Sequence, residues 1–471
     1  MNGTVGATTS FKPSPSGSLG LGAEWWRPVP PTGGQAGASQ AESIVADGTR
    51  AGTAPFVALV AFIIILLLAP QALFPVLSPF RLALLAAVGG IAAHALDRFL
   101  AHRPISIVTR EIVLAACLAA WALVGVPFSY WPGGSISLLL DLFIKSLAIF
   151  WLIANIVDTP ERFRAVTLTL VIASVPLAAV AIMHFLSGDI APGGNYQDYK
   201  RIVGYNAPLT QNPNDLALTL NLLLPFSVAH LIRARGALAR SILTGVVLLV
   251  TAAIVLTFSR AGFLALATML ALYLWKLSRS TQRHWALVMV LVALLSVAFL
   301  PGSYIHRIGT ITNMQTDRSG SSQARWDGMV AATRLALQHP LLGVGAGMNI
   351  LALNEARGPL WKEVHNVYLE YGADLGLPGL ALFLALLGSC WSRMRRTQRA
   401  AEGAPGFEDL FQYSVAVEAS LAAFAVAGMF HPVGYHFYFY IIAGLAVALG
   451  TLGTAMMSGT LRTTEVRPVA H

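Results

Sequence analysis

The chain has 471 residues, 56% of them hydrophobic and 11% charged, with a formal net charge of +9 and a mean hydropathy of +0.65. That much apolar surface excludes a soluble domain, and apolar runs of about 20 residues, the length of a bilayer-crossing helix, recur along the chain. Many of the basic residues fall in short loops between these runs, where membrane topology accounts for them, so the charge does not imply nucleic-acid binding.

In chain order, residues 1–54 come first, with stretches such as "TTSFKPSPSGSLGLGAEWWRPVPPTGG" that are rich in Pro, Gly, Ser and Ala. They carry no apolar period and are expected to form a disordered tail, too polar and too long for a signal-peptide n-region. Trp25 and Trp26 are candidates for contact with lipid headgroups. About twelve helices then follow, near 55–75, 80–97, 110–128, 135–157, 163–186, 213–232, 238–257, 261–277, 284–301, 375–393, 412–430 and 436–456. The fold class is an all-α polytopic membrane protein. Helices one to nine occupy 55–301, a large loop subdomain 302–374, helices ten to twelve 375–456, and a second tail 457–471.

Charge distribution orients these spans. One set of loops carries Arg98, Arg103 and Arg110; Arg162 and Arg164; Arg233, Arg235 and Arg240; Lys276, Arg279 and Arg283; and Arg393, Arg395, Arg396 and Arg399. The short loops of the other set, "PFSYWPGGS" and "HPVGYHF", carry no Lys or Arg. The positive-inside rule places both termini in the cytoplasm. Loops at about 187–212, 258–262 and 302–374 are then extracytoplasmic, and they hold Arg201, Arg260 and His365 respectively.

Several side chains stand out along the way. Cys117 and Cys390 fall in spans and read as buried thiols rather than a disulfide framework. Asp141 and Lys145, four apart in the fourth span, form an expected structural pair that lowers the cost of burying either charge. In "RIVGYNAPLTQNPNDLALTL", Asn212 suits an N-cap and Pro213 the first helical position, with Asp215 three residues after the cap. The resulting helix N-terminus favours an anion, which Asp215 partly opposes, and Arg201 adds a full positive charge upstream. In "LTFSRAGFLAL", Arg260 lies between two long apolar runs, where an arginine either serves a purpose or snorkels to headgroups.

The long loop contains an amphipathic helix from about Gln323 to Gln338, with Trp326, Met329, Val330 and Leu337 near one face. Arg325, Asp327 and Arg334 on it either extend a polar site or form a solvated face. "HPLLGVGAG" breaks that helix. A second short helix begins near His365 and stops at Gly376; His365 is the side chain there whose ordinary pKa lies nearest neutrality. Asn366, Tyr368, Glu370 and Tyr371 are orienting or sugar-contacting candidates beside it, and Asn214 is a further supporting candidate. His431 and His436 flank the last outer turn as rim residues. Metal-ligand spacings such as HExxH or paired CxxC are absent, as is a Walker-type loop, so no cofactor is expected.

In order, "RIVG", "NPNDLA", "FSRAGFLAL", "RWDGMVAATRLALQHPLLGVGAGMN" and "HNVYLEYGADLGLPGL" resemble the O-antigen ligase and polysaccharide polymerase superfamily of bacterial envelope proteins, over roughly residues 200–390. The resemblance implies a GT-C-like membrane glycosyltransferase in the bacterial inner membrane, with a large periplasmic loop. It implies transfer of a glycan from undecaprenyl diphosphate to an acceptor hydroxyl, on the lipid A core or on a growing polysaccharide, without metal or nucleotide sugar. Arg201 and Arg260 match the arginines that hold the donor diphosphate, and His365 the histidine at the reacting centre. In-line attack would invert the anomeric configuration. Ligase and polymerase differ only in acceptor and stay unseparated. A transporter or flippase is the remaining alternative, disfavoured because the longest loop follows the ninth span instead of joining two six-span halves.

Overall fold

The computed structural model describes residues 51–195, 200–205, 210, 212–279, 302, 308–309, 321–358 and 363–459. Most of the tails expected at 1–54 and 457–471 (residues 1–50 and 460–471) and the span expected at 284–301 lie outside the described residues. What is described is helical apart from one antiparallel hairpin, β1 (Ile190–Asn195) and β2 (Lys200–Ile202). Nine helices among the described residues are long and apolar enough to cross a membrane, so the protein is a multi-pass membrane protein.

The bundle opens with the shorter apolar helix α1 (Thr53–Leu68), then α2 (Leu82–Leu100), α3 (Arg110–Gly125) and α4 (Pro132–Ile156). There follow α5 (Pro160–Ser187), α6 (Pro213–Arg233), α7 (Ala237–Leu256) and α8 (Arg260–Ser278). Two shorter helices, α9 (Ser321–Gln338) and α10 (Asn349–Arg357), precede α11 (Val367–Ala401), α12 (Glu408–Ala427) and α13 (Phe437–Met457). Local sequence sets the helix starts. Thr109, Thr159, Asn212 and Asn366 each accept a backbone N–H from the first turn of the helix they precede, satisfying a donor left without an intrahelical partner. Pro160 and Pro213 sit at first helical positions, where a missing N–H costs nothing.

Helices α6, α12 and α13 form the centre, with most of their apolar residues buried, whereas α7 is mainly peripheral. Ring contacts hold the centre to α11: Phe383 stacks on Tyr371 of the same helix at 4.5 Å and meets Phe439 of α13 edge-on at 5.3 Å, centroid to centroid.

Polar groups divide between the two ends of the bundle. At one end Arg162 pairs with Asp158 at 2.9 Å, Arg393 with Glu111 at 2.6 Å, and Arg233 with Asp409. Lys276 and Arg395 both reach Glu418, at 2.7 Å each. At the opposite end the turn before α4 joins the segment after α9: Tyr130 N donates to Val344 O (2.9 Å) and Ser135 Oγ to Ala346 O (3.0 Å).

Several sequence expectations are corrected. Cys390 is buried but Cys117 is exposed on the bundle surface, because a residue in a span can face lipid as easily as protein. Asp141 and Lys145 pair at 3.7 Å, yet Asp141 is exposed and the pair lies on the bundle's outer surface. On α9 the face that packs is made of Gly328, Ala332, Leu335 and Ala336; Trp326 and Leu337 are exposed. The helix after His365 does break at Gly376, whose backbone is non-helical, and a second helical stretch follows directly to Ala401, so α11 is two helices joined at a kink. Gly376 has φ +69°, and a Cβ at that position would lie 2.3 Å from Leu341 O, so a side chain is barred on both counts.

Candidate functional site

Five segments, from five parts of the chain, meet at the end of the bundle opposite the ion pairs. The first is the start of α6. Asn212 Oδ1 accepts from Asn214 N at 2.8 Å, which fixes Asn214 in the first turn. The second is the Thr257–Arg260 turn. Phe258 adopts φ +51°, and Gly262 one turn into α8 lies so close to α6 that a Cβ would meet the Ala217 methyl at 2.7 Å. That approach lets Ser259 Oγ donate to Asn214 Oδ1 (3.0 Å), and it leaves Arg260 at the α8 N-terminus.

The third segment is the start of α9. Arg260 donates to Ser322 Oγ, and Arg325 lies three residues further on, on the same side of the helix. The fourth is the approach to α11. His365 is half-buried, with Nδ1 3.0 Å from Glu363 O. Asn366 Oδ1 accepts from Tyr368 N (3.0 Å) and Leu369 N (3.1 Å), so the residue next to His365 is locked as a cap. Asn366 Nδ2 also reaches Met329 Sδ at 3.8 Å, tying this cap to α9.

The fifth segment is the turn between α12 and α13. His431 was expected at the rim; it is buried instead. Its Nδ1 lies 2.8 Å from Ala427 O, its Nε2 3.2 Å from Asn214 O, and Nε2 is 4.0 Å from Asp215 Oδ1. Its pKa is pushed from the ordinary 6.5 down to about 4, first by burial, with the Arg325 guanidinium, and His365 whenever it is protonated, adding positive charge; the contacts with the Ala427 and Asn214 carbonyls oppose the shift. Arg325 and His365 therefore both act on the ring that touches the first turn of α6. Sequence reasoning missed His431 as a central group, although a titratable residue in an uncharged turn between two spans was a usable signal.

A second layer of contacts holds these segments in place. Buried Asp374 accepts from Gly347 N (2.8 Å), Asn349 N (2.9 Å), Asn349 Nδ2 (3.0 Å) and Tyr435 Oη (3.2 Å). Asn349 Oδ1 in turn accepts from Val364 N at 3.2 Å, one residue before His365. The glycine-rich segment 343–348, the His365 approach and the turn between α12 and α13 are thus joined through one carboxylate. Glu370 Oε2 accepts from Gly434 N (2.9 Å), and Tyr371 Oη donates to Gly434 O, fixing the turn that carries His431. Tyr368 Oη donates to Ala425 O at 2.7 Å. Glu370 and Tyr368 engage protein backbone on the neighbouring element.

Of the residues singled out from sequence, the structure brings Asn214, Arg260, Arg325, His365 and Asn366 into this one network. Arg201 lies in β2, with its side chain outside what is described. The hairpin itself is anchored at the same end: Val203 N donates to Asp189 O (3.3 Å), and Tyr205 Oη donates to Leu68 O (3.0 Å) at the close of α1.

A polytopic helical bundle with a cationic, histidine-containing cluster at one end, built on loops and helix starts, defines a multi-pass membrane protein. Residues 245–384 match the family model described as O-Antigen ligase, a segment running from within α7 to within α11. The match identifies this segment as a region of the O-antigen ligase/Wzy superfamily, in keeping with the resemblance seen in the sequence. It contains Arg260, Arg325 and His365, whereas Asn214 and His431 lie on either side of it. No curated protein matches the chain.

Proposed function

We propose that the protein is a membrane glycosyltransferase of the O-antigen ligase type. It moves a glycan from undecaprenyl diphosphate to an acceptor hydroxyl on the periplasmic face of the bacterial inner membrane, with both termini cytoplasmic. The observation that carries this reading is the convergence of Arg260, Arg325 and His365 around the Asn214–His431 contact. Matching of residues 245–384 to the O-antigen ligase family supports the reaction class.

The chemistry follows from the groups present. Breaking the bond between the anomeric carbon and the lipid diphosphate leaves negative charge on the leaving oxygen. Guanidinium groups bind phosphate oxygens in pairs and stay protonated, so Arg260, with Arg201 on the adjoining loop, holds and neutralises the leaving group. Arg325 adds a third positive charge beside it. His365 takes the proton from, or orients, the attacking hydroxyl as the new glycosidic bond forms, and attack in line with the leaving group inverts the anomeric centre. Asn366 sets the position of His365, and Asn214 that of the Ser259–Arg260 turn. The charge concentrated at this end makes an added metal unnecessary for the leaving group.

The test is complementation of a deletion strain with His365→Ala and Arg260→Ala. Both variants are expected at normal membrane levels without glycan transfer, and normal transfer by either removes that residue from the mechanism. The glycan that accumulates in the deletion strain separates the two acceptor classes. Lipid-linked polymer beside an uncapped core marks a ligase; single-repeat lipopolysaccharide or lost exopolysaccharide marks a polymerase.

A further inference from the structure

The end of the bundle opposite the candidate site carries a feature that glycan transfer does not use. A cavity of about 370 Å³ runs along one face of α11, lined by Trp391, Ser392, Arg395, Arg396 and Arg399. The spacing places 392, 395, 396 and 399 on one helical stripe. Trp275, near the end of α8, lies alongside. The Arg395 guanidinium is 5.5 Å from the Trp275 ring centroid and 5.8 Å from that of Trp391, and Arg279 sits 4.8 Å from the Trp275 centroid.

Charge in this region is unbalanced. Buried Glu418 already holds Lys276 and Arg395, at 2.7 Å each, and also accepts from Gln398 Nε2 at 2.8 Å. Its single negative charge is therefore spent on those two cations. Arg396 and Arg399 are exposed, and among the described residues no carboxylate pairs with either. A structural ion-pair network would be complete without them.

Position decides which anion fits. The apolar stretch of α11 ends just before Trp391, and the basic stripe begins there. Indole rings at that level prefer the membrane interface, and arginines just beyond the apolar span sit at headgroup depth. A phosphodiester held there has its acyl chains against the apolar part of α11 and its charge against the arginine fork.

We infer that Trp391, Ser392, Arg395, Arg396 and Arg399 form a binding site for the headgroup of an anionic phospholipid. Arg396 and Arg399 supply the free charge, Ser392 a hydroxyl, and Arg395, held between two indoles by Glu418, a pre-oriented guanidinium. The site is separate from the proposed catalytic cluster, and its occupancy does not depend on what that cluster does.

Full-length protein purified in a mild detergent tests this, with bound lipid counted by native mass spectrometry after titration with phosphatidylglycerol or phosphatidylcholine. The parent is expected to retain phosphatidylglycerol preferentially. The exposed-residue double variant Arg396→Ala/Arg399→Ala is expected to lose that preference by roughly thirtyfold, the scale of losing two basic contacts at a membrane surface. The control Arg235→Ala/Arg240→Ala removes two exposed cations from the same end of the bundle and is expected to keep it. Equal retention of the two lipids by the parent, an unchanged preference in the first double variant, or an equal loss in the control would each overturn the site. So would displacement of phosphatidylglycerol by equimolar inorganic phosphate, since the arginines would then be serving a free anion.

Discussion

His431 Nε2 lies 3.2 Å from the carbonyl oxygen of Asn214, a residue 217 positions away. With Ala427 O at 2.8 Å from Nδ1 and Asp215 Oδ1 at 4.0 Å from Nε2, the ring has acceptors on both sides, while a neutral imidazole has one proton to donate. The shorter contact assigns that proton to Nδ1. A second proton would satisfy Nε2, but burial and the charge of Arg325 resist it.

This conflict has a consequence in pH. A histidine whose folded pKa is depressed favours the neutral ring, so the unfolded chain binds the extra proton first. The stability this provides is complete above about 6.5 and is lost as pH falls towards about 4. Thermal unfolding in detergent of the parent and of His431→Gln measures it. The parent is expected to lose stability more steeply across that window, and equal slopes would acquit His431.

Asp374 gathers four donors from three residues, Gly347, Asn349 and Tyr435. Asp374→Ala leaves all four without their acceptor in a buried place, where each unsatisfied donor costs about 1–3 kcal/mol. A loss of at least ~3 kcal/mol is expected, seen as a large fall in Tm and in membrane level. Asn349→Ala removes only the bridge to Val364 and one donor to Asp374, so it is expected to be milder. A Tm unchanged by Asp374→Ala would show that the glycine-rich segment holds without it.

Glu111 accepts from Arg393 Nη2 at 2.6 Å and from Ser389 Oγ at 2.7 Å, and it is buried where α3 meets α11. Breaking one side of such a pair strands a charge, at a cost of about 3–5 kcal/mol, whereas replacing both partners with apolar groups of like volume is near neutral. Glu111→Leu alone is expected to destabilise strongly, and Glu111→Leu/Arg393→Met to recover most of the loss. Additive losses in the double variant would mean that the two residues are not coupled.

The spans were legible because a bilayer demands long apolar helices, and the caps at Asn212 and Asn366 because capping is local chemistry. What escaped was anything decided by which face meets what. Cys117 and Trp326 are apolar and exposed, since in a membrane protein an apolar residue is not obliged to pack against protein. Gly376 announced a break, and the helical backbone does break there; what the sequence could not show is that the next helix follows at once and that Leu341 O occupies the place a side chain would take. Arg260, Arg325 and His365 were visible as residue types, but their meeting depends on α9 folding back over the α8 start. His431 belonged to no motif, and only packing of the α12–α13 turn on α6 gives it a part.

Sidedness supplies the last prediction. The basic loops and the candidate site lie at opposite ends of the bundle, and the proposed orientation, argued from the excess of arginine, puts the basic end in the cytoplasm. Exposed Asp327 on α9 and exposed Glu402 just past α11 then face opposite compartments. With Cys117→Ser and Cys390→Ala removing the native thiols, Asp327→Cys in intact cells whose outer membrane is permeabilised is expected to react with a membrane-impermeant maleimide. Glu402→Cys is expected to react only after the inner membrane is opened. The reverse pattern would put the arginine–histidine cluster on the cytoplasmic face. Lipid-linked glycans assembled for the cell surface are then on the wrong side for it, and the proposed donor fails with the orientation.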